Sequence, residues 1–297
     1  MSNQYRLQET NVRAVIPGDE RALDTYLIRH WATTMFIRSN LRIGGLVDQG
    51  HPTQGTYVAA WDEGGAIEAL AVHYRTGALI VHAPRHLGAV VHEAAALSGR
   101  LVTAIAGPWP QVEMAANASG VAERARLVGS PQTLMTIALK NVGVAEAAIR
   151  ENIHGRLATK ADLEIILPWR MARDLETHGL PDTQARRRVV HADMEEQIRV
   201  QGLYVAQTRQ LVAMCSYDTW ARDGVQIGGI WVPQIFREKG YGAVVVAEAA
   251  TAALSYGVPR ATLLVEKSHN STMASMRALG FAAFGDYGML SYPGLAV

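Results

Sequence analysis

Between residues 203 and 232 short runs of aliphatic, β-branched and aromatic residues alternate with polar breaks: 203–206, 210–217 and 225–232. Runs of this length and composition predict three strands, and the brevity of the breaks predicts an antiparallel meander. Upstream the period changes. Leu163, Ile166 and Leu167 share one face of a helix over 162–174, which Pro168 is expected to kink or end early, and a second helix is predicted over 184–200. Beyond Pro233, Gly242 opens a run of Ala and Val to Ser255 that reads as a helix apolar on nearly every side, stopped by Gly257-Val258-Pro259. A buried strand over 260–265, a short helix over 271–279 closed by Gly280, and closing strands over 281–292 around a Gly285-Asp286 turn complete the order α-α-β-β-β-α-β-α-β-β.

The first half repeats this order more faintly. A hairpin of 56–61 and 66–74 is predicted across Asp62-Glu63-Gly64-Gly65, followed by a strand over 78–82, an Ala-rich helix opening at Gly88 and ending near Gly99, and a strand over 101–106. Gly-Ala-Val-Val stands at 88–91 and again at 242–245, each time behind a strand and a proline, Pro84 and Pro233. The shared order and the shared tetrapeptide point to an internal duplication. The copies differ in one respect. Five residues present between Pro233 and Gly242 have no counterpart between Pro84 and Gly88.

The segment with the extra residues is Arg237-Glu238-Lys239-Gly240-Tyr241-Gly242. A helix N-terminus offers unpaired N–H groups and partial positive charge, and glycines let an anion approach the backbone closely. Arg237 and Lys239 add cations on the way in, so a pyrophosphate is the expected ligand, held by the second copy alone. Length and composition fit this picture. A chain of 297 residues suits two domains, and 49% hydrophobic with 19% charged residues suits folded cores. The expected division is 1–145, a linker over 146–160, and 161–297.

A net charge of +1, from 28 basic and 27 acidic residues, gives no global field for nucleic acid or an anionic membrane. No apolar leader or run of 18 uncharged apolar residues is present, and the single Cys215 lies in an apolar strand as a structural thiol, so a cytoplasmic protein is expected. The histidines of the first half, His30, His51, His73, His82, His86 and His92, offer no convincing ligand pair, so no metal is expected. Trp109, between Pro108 and Pro110, reads as a rigid turn with a buried ring.

Ile230-Trp231-Val232-Pro233, the loop from Arg237 to Gly242, Leu263-Leu264-Val265, Asn270 and Leu279-Gly280-Phe281 together resemble the GNAT superfamily of N-acetyltransferases, well over about 160–292 and in element order alone before that. The resemblance implies an α/β (α+β) fold of tandem GNAT-like domains. Each would be a mixed, mostly antiparallel sheet flanked by helices, with splayed central parallel strands in the C-terminal copy. It also implies acetyl-CoA as acyl donor, its pyrophosphate on Arg237, Lys239, Gly240, Tyr241 and Gly242 and its pantetheine arm along Ile230, Trp231 and Val232, with Asn270 or His269 nearby. Gly228-Gly229 either form the bulge that opens this edge or simply admit a neighbouring side chain.

Acetyl transfer to an amine needs a base for the amine and a proton for the leaving thiolate. The positions where such enzymes often carry a tyrosine and a glutamate hold Met276 and Gln226. Tyr287 or water is then the expected acid and Glu266 the expected base, although Glu266 equally suits an ordinary exposed position. The expected partner is a primary amine, small molecule before protein, with a homodimer allowed. A non-catalytic acyl-CoA sensor and a cofactor-free scaffold are the competing readings.

Overall fold

The computed structural model describes residues 11–124, 126 and 128–292. Its elements are β1 (Asn11–Ala14), α1 (Glu20–Arg29), α2 (Met35–Gly44), β2 (Gly55–Trp61), β3 (Ile67–Tyr74), β4 (Ala78–His82), α3 (Leu87–Ser98), β5 (Ala104–Pro108), α4 (Trp109–Ala118) and β6 (Val128–Ala138). After α5 (Glu146–Glu151) come β7 (His154–Leu157), α6 (Leu163–His178), α7 (Gln184–Arg199), β8 (Leu203–Gln207), β9 (Leu211–Ala221), β10 (Gly224–Trp231), α8 (Tyr241–Ser255), β11 (Arg260–Glu266), α9 (Asn270–Ala278) and β12 (Ala282–Ser291). With α5 set aside, the order β-α-α-β-β-β-α-β-α-β occurs twice. Each repeat thus gains a first strand, β1 or β7, that the hydrophobic pattern did not signal.

The chain divides into two compact units, Met1–Pro131 with Asp286–Val297, and Gln132–Gly285. In the first, β1 to β4 pair antiparallel in sequence order, β4 pairs parallel with β5, and β5 pairs antiparallel with β12 over Tyr287↔Pro108 to Ser291↔Ala104. In the second, β7 to β10 pair antiparallel, β10 pairs parallel with β11, and β11 pairs antiparallel with β6 from Arg260↔Ala138 to Glu266↔Gln132. Each sheet is therefore completed by the last strand of the other repeat. The units part at 131/132 and 285/286, and the segment 146–160, read as a linker, holds α5 and β7. The expected Gly285-Asp286 hairpin turn lies inside the single strand β12. Trp109 opens α4 with Pro110 in its first turn, where a missing N–H costs nothing.

Both sheets are covered on two faces. In the second unit α8 buries Ala243, Val244, Val245, Val246, Ala249, Ala250 and Ala253 against Ala213, Cys215, Val225, Ile227, Leu263 and Val265. Small side chains bring the helix axis close to the strands, and each buried valine contributes about 1.5–3 kcal/mol. Cys215 lies in this layer with its Sγ donating to the Val245 carbonyl at 3.4 Å, and burial raises its pKa, as suits a structural thiol. On the other face α6 and α7 pack Ile166, Met171, Val190 and Met194 against Leu203, Val205, Leu211 and Met214. α6 runs through Pro168 to His178; the proline lies near its start, where it removes a single early hydrogen bond.

Candidate functional site

The parallel pair at the centre of the second unit separates early. β10 and β11 pair at Val225↔Ala261, Gln226↔Thr262 and Ile227↔Leu263, after which β10 continues from Gly228 to Trp231 with no partner on that side. β9 stays with β10 on the other side, but its register slips twice, between Gln226 and Ile227 and between Gly228 and Trp231. The first slip leaves Asp218 as an extra residue in β9, since Thr219 faces Gln226 and Tyr217 faces Ile227. The second leaves Gly229 and Ile230 as a bulge in β10, with Gly229 at φ 59°. Both readings of the glycine pair hold: the bulge is real, and a Cβ at Gly228 or Gly229 would collide with the Asp218 carboxylate or the Ser216 hydroxyl.

Past Pro233 a single 3₁₀ turn (Gln234–Phe236) leads to the loop, and Gly240 caps α8 in the left-handed region at φ 80°. A Cβ there would also stand 3.3 Å from Ala147 on α5. Gly242 is less constrained, since its Cβ would meet Ile230 and Val232 at 3.6 Å, an ordinary contact. Gly240 is thus the glycine the loop geometry demands. Arg237 is held rather than mobile: its guanidinium lies 4.8 Å from the Trp231 ring centroid, its Nε donates to the Val232 carbonyl at 3.1 Å, and it pairs with Glu176 at 2.8 Å. Lys239 is exposed.

α5 braces the loop from outside, a contribution the sequence did not reveal because the helix is only six residues long. Arg150 donates to the Lys239 carbonyl at 3.3 Å, and the Tyr241 hydroxyl donates to Glu151. That bond and the Arg150 guanidinium hold the Glu151 carboxyl below the usual carboxylate range.

The proposed chemical groups are distributed unevenly. Glu266 ends β11 and accepts from Gln132 Nε2 at 2.9 Å. Strand alternation turns it away from α8, since Ala261, Leu263 and Val265 fill the α8 side. Asn270 is the exposed first residue of α9, and His269 is its N-cap. Met276 is buried in the α8 core, and Gln226 is buried on β10. Tyr287 belongs to the first unit, opposite Pro108, where burial leaves it 5% exposed and raises its pKa. Asp218 carries a second carboxylate on the face away from α8. The hydrophobic pattern did not disclose it, because a charged residue after Tyr217 reads as the end of a strand.

In the first unit the equivalent connection is short. β4 pairs with β5 at Ala78↔Ala104, Leu79↔Ile105 and Ile80↔Ala106 and ends at His82, in unbroken register with β3. His86 caps α3 in the left-handed region, and the Ala83 N–H donates to Gln111 Oε1 at 2.7 Å. Among the described residues no group of three or more His, Cys, Asp or Glu is placed to hold a metal ion.

A mixed sheet with parting central parallel strands, followed by a glycine-capped helix, defines the second unit as an N-acetyltransferase-type fold. Residues 168–281 match the model of the acetyltransferase (GNAT) family, and this part of the chain belongs to that family. Solved structures share the fold along nearly the whole chain. A Drosophila protein superposes with a TM-score of 0.66 at 10% identity, covering 96% of this chain and 99% of its own. GCN5-related N-acetyltransferases from Sphaerobacter thermophilus and Kribbella flavida give TM-scores of 0.52 and 0.53 at 17% and 15% identity, covering 97% and 89% of this chain and 97% and 95% of theirs. No curated protein matches the sequence.

Proposed function

We propose that the second repeat binds acetyl-CoA and transfers its acetyl group to a primary amine, and that the first repeat binds no acyl donor. The observation that supports this most is the conjunction of a free β10 edge at Gly228–Trp231 with a left-handed Gly240 cap at the start of α8, the two joined by a connection of eight residues, 232–239. The residues present suit such a donor. The N–H groups at the start of α8, unscreened at Gly240 and Gly242, supply an anion cradle, with Arg237, Lys239 and Tyr241 beside it. The backbone of Ile230, Trp231 and Val232 supplies a strand edge to which an extended amide chain can add. Asn270 stands at the start of α9, after β11.

Bound acetyl-CoA supplies an activated thioester. The chain's own task is to orient it, to fix the amine and to take the amine's proton, while the low basicity of a thiolate lets it leave without a protein acid and take its proton from solvent afterwards. Glu266 and Asp218 are the carboxylates on the face away from α8. Incubating the purified protein with acetyl-CoA and a panel of amines, with free thiol as readout, tests the reading; turnover is expected. The sensor reading draws on buried Met276 and on Gln226, neither of which moves a proton. It predicts binding of acetyl-CoA with no thiol release for any amine.

A further inference from the structure

The two faces of the second unit's sheet differ in chemistry. The α8 side is apolar throughout β9, β10 and β11. The opposite side carries, across the same three strands, a buried polar row: Thr219, Gln226 and Thr262, paired directly as Thr219↔Gln226 and Gln226↔Thr262, at 4%, 4% and 0% exposure. The Oγ1 atoms of Thr219 and Thr262 are buried without a hydrogen-bond partner. Buried hydroxyls left unpaired cost stability, about 1–3 kcal/mol each, so a row of them calls for a polar ligand. One pleat further along lies Asp218, whose carboxylate rests on the Cα of Gly228, where the free edge of β10 begins.

We infer that this face receives the acceptor, that Asp218 takes the proton of its ammonium group, and that the acceptor is a small hydrophilic amine able to bond the threonine and glutamine side chains. The inference rests on the acetyltransferase reading above. Asp218 first takes one proton from the ammonium, freeing the nitrogen's lone pair; the neutral amine then forms its bond to the acetyl carbon as the carbon–sulfur bond breaks, the acylated nitrogen gives its second proton to solvent, and the thiolate takes a proton from solvent. Asp218 is open to solvent, so an ammonium can reach it. It is ringed closely enough by protein for desolvation to raise its pKa, with Asp193 of α7 adding to the rise and Arg173 and Arg170 of α6 and the Ser216 hydroxyl opposing it. A raised carboxyl is a better base than an ordinary one. Arg170 and Arg173 do not neutralise it fully because both also serve Asp174, a 4% exposed carboxylate that further binds Arg186. From β10 Asp218 meets the uncharged Gly228 backbone.

The test compares wild type with Asp218→Asn in three readouts: the acetyl-CoA dissociation constant by calorimetry, kcat/KM with amino sugars, amino acids, alkylamines and lysine peptides, and the pH profile. Expected are an unchanged acetyl-CoA affinity, a fall in kcat/KM of about 10²–10⁴-fold, and loss of the acid limb that wild type shows as the carboxylate protonates. Asp218→Glu should keep that limb at reduced kcat, and it carries the test if the asparagine variant fails to fold. Thr262→Val, close in shape, should raise the acceptor KM severalfold with acetyl-CoA affinity intact. A wild-type acid limb retained in Asp218→Asn, or lost in Glu266→Gln instead, overturns the assignment; preference for an alkylamine or a lysine peptide overturns the acceptor class. Wild type that releases no thiol with any amine removes the underlying function, an outcome distinct from both.

Discussion

The β4–α3 and β10–α8 connections begin from the same place in the repeat and end in the same way, with a left-handed cap on an Ala- and Val-rich helix. Three residues, 83–85, separate strand from cap in the first, and eight, 232–239, in the second. The strands differ as well. After their last parallel pair β4 carries Val81 and His82 in regular register, while β10 carries Gly228 and then a bulge at Gly229 and Ile230. β5 stays near β4 past that pair, for a Cβ at Gly107 would press against the Val81 carbonyl. One repeat has thus kept the sheet and helix of the fold and closed the opening, while the other holds it open. What separates the two repeats at this place is a few residues in a connection, not the fold that carries them.

The harshest way to break this contrast is to give the second repeat the first repeat's connection. Deleting 235–239 should abolish acetyl-CoA binding, a loss of more than about 100-fold read by calorimetry, because the helix N-terminus can no longer present its N–H groups around an anion. Gly240→Val should act in the same direction with less force, weakening acetyl-CoA by about 10–100-fold, since a β-branched residue at φ 80° and against Ala147 displaces the cap. An affinity within threefold of wild type would show that the cap is not what holds the pyrophosphate.

The units should also part under acid. In the first, His82 at the end of β4 stacks on His30, with ring centroids 4.2 Å apart, and its Nδ1 is 2.7 Å from the Tyr26 hydroxyl. Burial, with the like charge of His30, lowers its pKa to about 4. The folded unit therefore binds this proton less readily than the unfolded chain, and its stability should fall from pH 6.5 towards 4, by at most about 3 kcal/mol. In the second, the Arg156 guanidinium and the Thr159 N–H hold Asp162 at about 2, so its contribution persists above 3.8 and is lost as pH falls towards 2. Hydrogen exchange resolved by unit across this range should show the first unit loosening at higher pH, and His82→Gln should remove most of that slope. The smallest effect is expected from Tyr241→Phe. It removes the bond to Glu151 and should cost about 1 kcal/mol by urea unfolding, together with a few-fold loss of acetyl-CoA affinity.

Local signals carried the reading of the sequence a long way and then stopped for identifiable reasons. Strands, the α8 run and the glycine loop were legible because each is set by a short stretch: alternation, apolar periodicity, a proline and two glycines. The exchange of β6 and β12 was not, since a strand's residues specify a buried face but not which edge it pairs with. Gly285-Asp286 looks like a turn and becomes strand because β5 supplies the partner from Tyr287 onward. Asp218 was hidden by the opposite effect. A carboxylate in a strand contradicts β propensity, and only the bulge at 218 makes room for it. Of the groups expected to do chemistry, Glu266 and the loop residues lie in one unit, while Tyr287 lies in the other.

The central claim is that one connection of the two binds acetyl-CoA. Calorimetric titration of the intact protein tests it directly: one equivalent should bind per chain, and none once residues 235–239 are deleted. Two equivalents per chain, or one equivalent surviving the loss of residues 235–239, would contradict it.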